Sequence, residues 1–318
     1  MHIRRSAQHP TVPDPALPRS FAARYGQGVR RAVSLGGGGT YFVAWQVGYL
    51  KTLVGHGIDI DGADRLVGTS AGSIVAATLA HHHLDRLYDE TALMSRMPSV
   101  MDKLFPSGVD HPSQKQALDL YLNATDSTPD MVRAIGRAAL AAVTPSEHIM
   151  PRDLLMVLGD QWNSSALLMT CVDTLTGDRC VISRSTDVSV NLGAAASSAV
   201  PGIFAPQVIA GRNCMDGGVG GTAVHLDLLA GADRALVLSL YRDSELTHGL
   251  LTLAPGDLDR ELAELKASGT EIYFRAPESH PMDIDGLMNP AAAPDAMAMG
   301  VRQATADLEA GDLARFWA

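Results

Sequence analysis

Arg31-Ala32-Val33-Ser34-Leu35-Gly36-Gly37-Gly38-Gly39-Thr40 is the stretch on which the reading of the fold turns. A short apolar run leads straight into four glycines. Beyond them Ala44, Val47, Leu50 and Val54 recur at helical spacing, and Gly55 and Gly57 end the pattern. The same order repeats at once. Arg65-Leu66-Val67-Gly68 reads as a second short strand, Ser70 sits on the turn, and Ala71 to Leu79 is a helix of small and aliphatic residues. Two consecutive strand–turn–helix units predict a parallel sheet with helices on both faces.

Working outward, residues 81–160 change character. Helical stretches at Gln116–Leu122, Met131–Val143 and Pro151–Leu158 alternate with loops rich in Pro, Ser, Asp and Thr, which predicts a helical insertion over one end of the sheet. Leu93, Met97, Val100, Met101 and Leu104 form a rough apolar stripe there, interrupted by Pro98. The sheet resumes at Ala166–Asp173 and Arg179–Ser183 around a Thr176-Gly177-Asp178 turn. A small-residue helix over Val190–Ala199 stops at Pro201. Strands follow near Gln207–Ala210, at Ala235–Leu240 and at Glu271–Phe274, with helices at Leu258–Lys266 and Pro294–Leu308. Pro10, Pro13, Pro15 and Pro18 mark residues 1–28 as an N-terminal arm, either flexible or tied down by other elements, ahead of a single domain over 29–318.

The bulk numbers suit that outline. The chain has 318 residues, 46% of them apolar and 19% charged, which is a globular composition with ample core material. A formal net charge of −10 excludes a basic nucleic-acid footprint. It also limits any membrane contact to local apolar or basic patches. No apolar run reaches the roughly 18 residues of a membrane span, and no apolar h-region follows Arg4 and Arg5. The expected location is cytoplasmic, with peripheral contact at a membrane surface. Cys171, Cys180 and Cys214 are an odd set without a Cys-x-x-Cys, which argues against a disulfide scaffold or a structural zinc site. Cys171 and Cys180 face each other across the predicted hairpin as reduced, buried thiols.

Three blocks carry chemistry. Gly68-Thr69-Ser70-Ala71-Gly72 is a Gly-x-Ser-x-Gly between a predicted strand and a predicted helix, the setting of a nucleophile elbow. At a helix N-terminus the dipole favours negative charge near the serine oxygen. The Gly36–Gly39 run lets main-chain N–H groups converge without side chains in the way. A dinucleotide loop is disfavoured because Tyr41 and Phe42 stand where its third glycine belongs, and no Gly-Lys-Ser/Thr marks a P-loop. An oxyanion hole for a nearby serine remains. Asp216-Gly217-Gly218 supplies a carboxylate ahead of a sharp turn.

In this order the blocks resemble the patatin-like phospholipases. Ala196-Ser197-Ser198-Ala199-Val200-Pro201-Gly202-Ile203-Phe204 is similar to that family's Ala-Ser-x-Ala-x-Pro-x-x-Phe segment, Gly48-Tyr49-Leu50 to its Gly-Val-Leu, and Asp173 to Gly177 to its Asp-x-x-Thr-Gly hairpin. The resemblance spans about residues 31–240. It implies an α/β, three-layer fold with a central mostly parallel sheet, helices on both faces and a helical insertion. It also implies lipid acyl hydrolysis by a Ser–Asp dyad, with Ser70 as nucleophile, Asp216 as base and Gly37, Gly38 and Gly39 as oxyanion loop. Gly68, Gly72, Gly217 and Gly218 support the turns. No metal or cofactor is required, and the partner is a lipid or acyl ester substrate. One feature departs from the family. The Arg or Lys usual after the glycines is replaced by Tyr41, Phe42 or Val43, in either register. That favours neutral glycerides, or lysolipids held by their chains, over anionic headgroups.

A carboxylate with an ordinary pKa near roughly 3.9 is a weak base for a serine, so Asp216 is expected to be desolvated. The competing triad would recruit His225, His248 or His280. It is disfavoured because a single strand–helix unit precedes Ser70. His81-His82-His83 reads as a polar helix end and not a metal site. Tyr41, Phe42 and Trp45, just after the glycines, are candidates for the wall of an acyl pocket. Acyl transfer on a related scaffold and non-catalytic lipid binding are the alternative functions.

Overall fold

The computed structural model describes residues 13–94, 96–97, 108–242, 254 and 256–318. Val100, Met101, Leu104 and His248, singled out above, lie outside these residues, as do residues 1–12. The first unit is strand β1 (Arg31–Leu35) and helix α1 (Gly39–Gly55). The second is β2 (Arg65–Thr69) and α2 (Ala71–Ala80). Helices α3 (Leu84–Met94), α4 (Pro112–Leu122), α5 (Pro129–Ala141) and α6 (Ile149–Leu158) follow. Then come β3 (Leu167–Asp173), β4 (Arg179–Ile182), α7 (Val190–Ser197), β5 (Gln207–Ile209), β6 (Arg212–Asp216) and β7 (Arg234–Leu238). The chain closes with α8 (Asp257–Ala267), β8 (Glu271–Arg275), α9 (Ile284–Met288), α10 (Ala293–Ala310) and α11 (Asp312–Trp317).

The strands form one sheet in the order β5-β6-β3-β2-β1-β7-β8, with β4 paired to β3. β3, β2, β1, β7 and β8 run parallel; β4, β5 and β6 are antiparallel additions at one side. The central parallel strands are apolar and almost wholly buried, as layers on both faces require. Helices α1, α2, α7 and α10 cover one face with the larger core. The other face is covered more thinly, by α8, a 3₁₀ turn at Leu226–Leu229 and the side chains of Leu17, Phe21 and Tyr25. The molecule is therefore an α/β fold with a mostly parallel central sheet.

Those last three residues belong to the N-terminal arm. From Pro13 onward the arm is tied down against the sheet, the second of the two expectations. Ala16 bridges to Cys180, the Leu17 N–H donates to the Arg179 carbonyl, and the Ser20 N–H donates to Asp227. The arm thus covers the open edge of β4, which would otherwise expose unpaired backbone groups. Arg212–Asp216 is a correction. It reads in sequence only as a turn at its end, yet it is a strand, paired with β3 and β5.

Candidate active site

Ser70 stands between β2 and α2 with φ 52° and ψ −122°. A side chain seldom adopts such a backbone, and holding one there costs about 1–3 kcal/mol. The surroundings enforce it. A methyl at Gly72 would lie 2.0 Å from the Leu35 carbonyl oxygen, and one at Gly68 2.5 Å from the Gly72 oxygen. Only glycines let α2 begin so close to β1. Ser70 is 8% exposed, at the floor of a cavity.

The glycine loop lies beside it. Its root, Gly36, is fixed from two sides: its N–H donates to the Leu238 oxygen (2.9 Å), and its carbonyl accepts from the buried Gln46 amide (2.9 Å). Among the described residues, no carbonyl accepts from the N–H of Gly37 or Gly38. A Cβ at Gly37 would come 3.1 Å from Ser70 Cβ, so the loop packs directly against the serine at that glycine. Gly39, at φ 63°, opens α1 against the Leu287 carbonyl.

Asp216 ends β6 and is 2% exposed. Its Oδ1 accepts from the Gly218 N–H at 2.7 Å. Oδ2 makes no hydrogen bond of regular geometry. The Ser70 hydroxyl is close enough to act on the carboxylate, without the alignment that such contacts often gain only with substrate. Burial pushes the carboxyl up to about 6, against the Ser70 hydroxyl and the Gly218 N–H, which favour the charged form. No described cation pairs with it. Gly217 turns directly against β3, where a methyl would meet the Thr170 oxygen at 2.3 Å.

One residue links the elbow and the carboxylate. Ser197, at the end of α7, accepts the Ser70 N–H on its Oγ (2.9 Å) and the Gly217 N–H on its carbonyl (3.2 Å). Ala199 accepts the Asp216 N–H at 2.9 Å. The Ala196–Phe204 segment is therefore the brace between elbow and carboxylate. Its presence is readable in the sequence; this mechanical role is not.

The cavity over Ser70 holds about 170 Å³. Its wall is mainly aliphatic: Val43 and Ile74, Leu87 from α3, Leu154 and Val157 from α6, and Leu287 from α9. Tyr41, Phe42 and Trp45 are absent from it, which corrects the expected acyl pocket. Thr40 and Val43 are the α1 residues that face the cavity, one turn apart. Tyr41, Phe42 and Trp45 point elsewhere. Phe42, Trp45 and Tyr49 stack in series, Trp45 donates to Gln303 (2.8 Å) and Tyr49 to Asp307 (2.6 Å), both on α10, and Tyr41 donates to the Ser279 carbonyl. They are core. Sequence reasoning missed Tyr121 and Ser198. Both line the cavity, and burial, reinforced by the charge of Asp216, raises the Tyr121 hydroxyl well above its usual range.

The histidines stand apart from this chemistry. His225 Nε2 lies 2.9 Å from the Gly217 carbonyl, behind the turn. Burial, reinforced by the charges of Arg19 and Arg179, holds it well below its ordinary pKa, so it is a neutral donor to that carbonyl. His280 Nδ1 faces the Pro281 carbonyl. α2 ends at Ala80, so His81, His82 and His83 follow the helix, and His82 pairs with Asp61.

Comparisons with known proteins give a family and distant structural likenesses. The family model described as patatin-like phospholipase matches residues 33–226. No curated protein matches the chain. Among solved structures, the chain is similar to the type III effector protein ExoU at 18% identity, covering 87% of this chain and 53% of that one, with a TM-score of 0.32. It is similar to VipD from Legionella pneumophila at 13% identity, covering 91% and 68%, with a TM-score of 0.34. ExoU of Pseudomonas aeruginosa in complex with SpcU matches at 17% identity, over 95% of this chain and 61% of that one, with a TM-score of 0.29. The chain thus spans about half the length of the first ExoU structure it matches. The family match covers well over half of the chain and contains the elbow, the glycine loop and the aspartate, and by it the chain belongs to the patatin-like phospholipase family.

Proposed function

We propose that the protein is a serine acyl hydrolase that cleaves a carboxylic ester of a lipid through an acyl-enzyme on Ser70, with Asp216 as the base. The observation that carries this reading is a buried carboxylate, raised to about 6 and paired with no described cation, beside a serine held on a strained elbow. Such a carboxylate is ionised at neutral pH and basic enough to take a hydroxyl proton.

The chemistry follows from the arrangement. Ser70 Oγ attacks the ester carbonyl carbon as its proton passes to Asp216. The carbonyl oxygen gains the negative charge, and the free N–H groups of Gly37 and Gly38 receive it. Collapse expels the alcohol, which takes the proton from Asp216. A water molecule, deprotonated by the same carboxylate, then attacks the acyl-enzyme, and the acyl–Ser70 bond breaks as that proton passes from Asp216 to Ser70 Oγ, releasing the fatty acid.

The substrate class follows from the wall. Among the described residues its ionisable groups are Asp216, Glu90 and Tyr121, with no Lys, Arg or His. An anionic headgroup finds no partner among them, so the reading favours neutral glycerides, or lysolipids gripped by their chains. Leu93 on α3 and Leu155 and Met156 on α6 are exposed on two of the helices that line the cavity, and we assign them the contact with a lipid surface. No described helix is long and apolar enough to cross a membrane. Acyl transfer aided by a histidine draws less support, since His225 is committed to Gly217 and His280 faces Pro281.

A fluorophosphonate probe with peptide mapping tests the proposal. The expected result is one label on Ser70, none in Ser70→Ala, and loss of p-nitrophenyl acyl ester turnover in that variant. Labelling at another residue, or turnover unchanged in Ser70→Ala, rejects it.

A further inference from the structure

The chain has three cysteines in 318 residues, far apart in sequence, with no motif connecting them. The sheet brings all three together. Cys171 lies on β3, Cys180 directly opposite it on β4, and Cys214 on β6, across the other side of β3. Their sulfur atoms all lie within 4.8 Å of one another, and all three residues are fully buried, free thiols. Three strands thus aim every thiol of the protein at one point.

The geometry points to a buried three-thiol site for a soft, trivalent, three-coordinate ion, of which arsenite is the accessible representative. The argument has three parts. First, the spacing fits. An ion bonded to sulfur at roughly 2.3 Å, the length typical of zinc–thiolate bonds, sets three ligands about 4 Å apart in a plane and closer in a pyramid. The thiols reach this by small side-chain adjustments. Second, a fourth ligand is missing among the described residues. The neighbouring carboxylate, Asp173, is fully engaged: Oδ1 accepts from the N–H groups of Leu175 and Thr176, and Oδ2 pairs with Arg212. Zinc, which prefers four ligands in closed sites, is therefore poorly served. Third, charge decides among the ions that accept three thiolates. A monovalent ion on three thiolates leaves two negative charges in a dry core, which is costly. A trivalent ion leaves none.

The binding step balances without any redox partner. Arsenous acid, As(OH)₃, condenses with three thiols to give As(SR)₃ and three waters. Each thiol proton leaves with a hydroxide, and arsenic stays trivalent. Access runs by local opening at the hairpin edge. Ala16 bridges Cys180 there, and the arm is held by the pairs Leu17 to Arg179 and Val181 to Pro15.

The test is arsenite added to the full chain under argon. One arm uses the folded protein at long incubation, and a second refolds it from urea with arsenite present. Intact mass under native conditions is expected to show one arsenic per chain with three protons lost. The melting temperature is expected to rise with arsenite concentration, because the ion binds the folded state alone. All three thiols are expected to resist alkylation. Cys214→Ser and Cys180→Ser are each expected to weaken binding at least tenfold, while Zn(II) binds no tighter to the native protein than to those variants. No arsenic adduct in either arm, or an adduct retained in Cys214→Ser, overturns the site. Ester hydrolysis plays no part in the readout, so this proposal and the catalytic one fail independently.

Discussion

Asp216 and Asp227 are carboxylates on the same stretch of chain, 2% and 3% exposed, and the fold treats them in opposite ways. Asp227 is clamped. Arg179 donates to both of its oxygens, at 2.6 and 2.9 Å, and the Ser20 N–H adds a third bond at 2.9 Å. Asp216 receives one main-chain N–H and the influence of one hydroxyl. The first is a fastening that secures the N-terminal arm to the back of the sheet. The second is left partly unsatisfied at the cavity. Burial is common to both, so burial alone does not set a carboxylate's task; the supply of partners does. A clamped carboxylate is a poor base, because its lone pairs are taken. An underpartnered one is reactive, and its ionised form weighs on stability.

The sharpest way to break this contrast is to remove the reactive member. Asp216→Asn keeps shape and removes basicity, and kcat for a p-nitrophenyl ester is expected to fall by about 10⁴-fold, the scale seen when the carboxylate of a serine hydrolase is lost. The wild-type kcat/KM is expected to rise with pH through about 6 and level off above it, as Asp216 ionises. A flat profile between pH 5 and 8 would contradict the role given to this residue.

The clamped member answers differently. Arg179→Met strips the buried Asp227 of the guanidinium that bonds both of its oxygens, with an expected loss of about 3–5 kcal/mol in urea unfolding. Adding Asp227→Leu to that variant is expected to restore much of the loss, because the stripped carboxylate is gone. A single variant as stable as the wild type would mean that the pair fastens nothing.

The smallest effect concerns stability at the reactive site, and its sign is opposite. The Asp216 carboxyl titrates at 3.8 as an ordinary aspartate and at about 6 in the fold. Between those values the native state holds a proton that the unfolded chain has released, so stability falls as pH rises through the window. Above pH 6 the full cost, about 3 kcal/mol, is present. Asp216→Asn is therefore expected to be more stable than wild type by up to that amount at pH 8, with the advantage fading as the pH drops toward 4. Urea melts at both pH values check it; an equal or lower stability at pH 8 would count against an ionised, desolvated Asp216.

Much of this was legible in the sequence, for identifiable reasons. Glycines announce close backbone approach, and Gly36–Gly39, Gly68, Gly72 and Gly217 all sit where a Cβ would crowd a neighbour. Short apolar strands ahead of them fixed the parallel core. Side-chain direction was not legible. Tyr41, Phe42 and Trp45 follow the loop in sequence, but the helix turns Trp45 to Gln303 on α10, Tyr41 to the Ser279 carbonyl and Phe42 onto Trp45, and gives the cavity to Thr40 and Val43. Nor were contacts between distant strands. The β6 strand is short and begins with Arg212 and Asn213, so its pattern reads as turn. Cys214 joins the other thiols only because β6 pairs with β3. The docking of residues 13–28 depends on β4 lying at an open edge, a position that local pattern does not reveal.

Ser197 has a consequence for how a bulky ligand would enter. It grips the elbow through its side chain and the turn after Asp216 through its backbone, and its helix α7 packs against α6, where the Asn191 amide donates to the Pro151 carbonyl. A shift of α6 that widens the cavity therefore pulls on the helix that keeps Ser70 and Asp216 in register. Room for a long chain and the setting of the elbow are mechanically coupled.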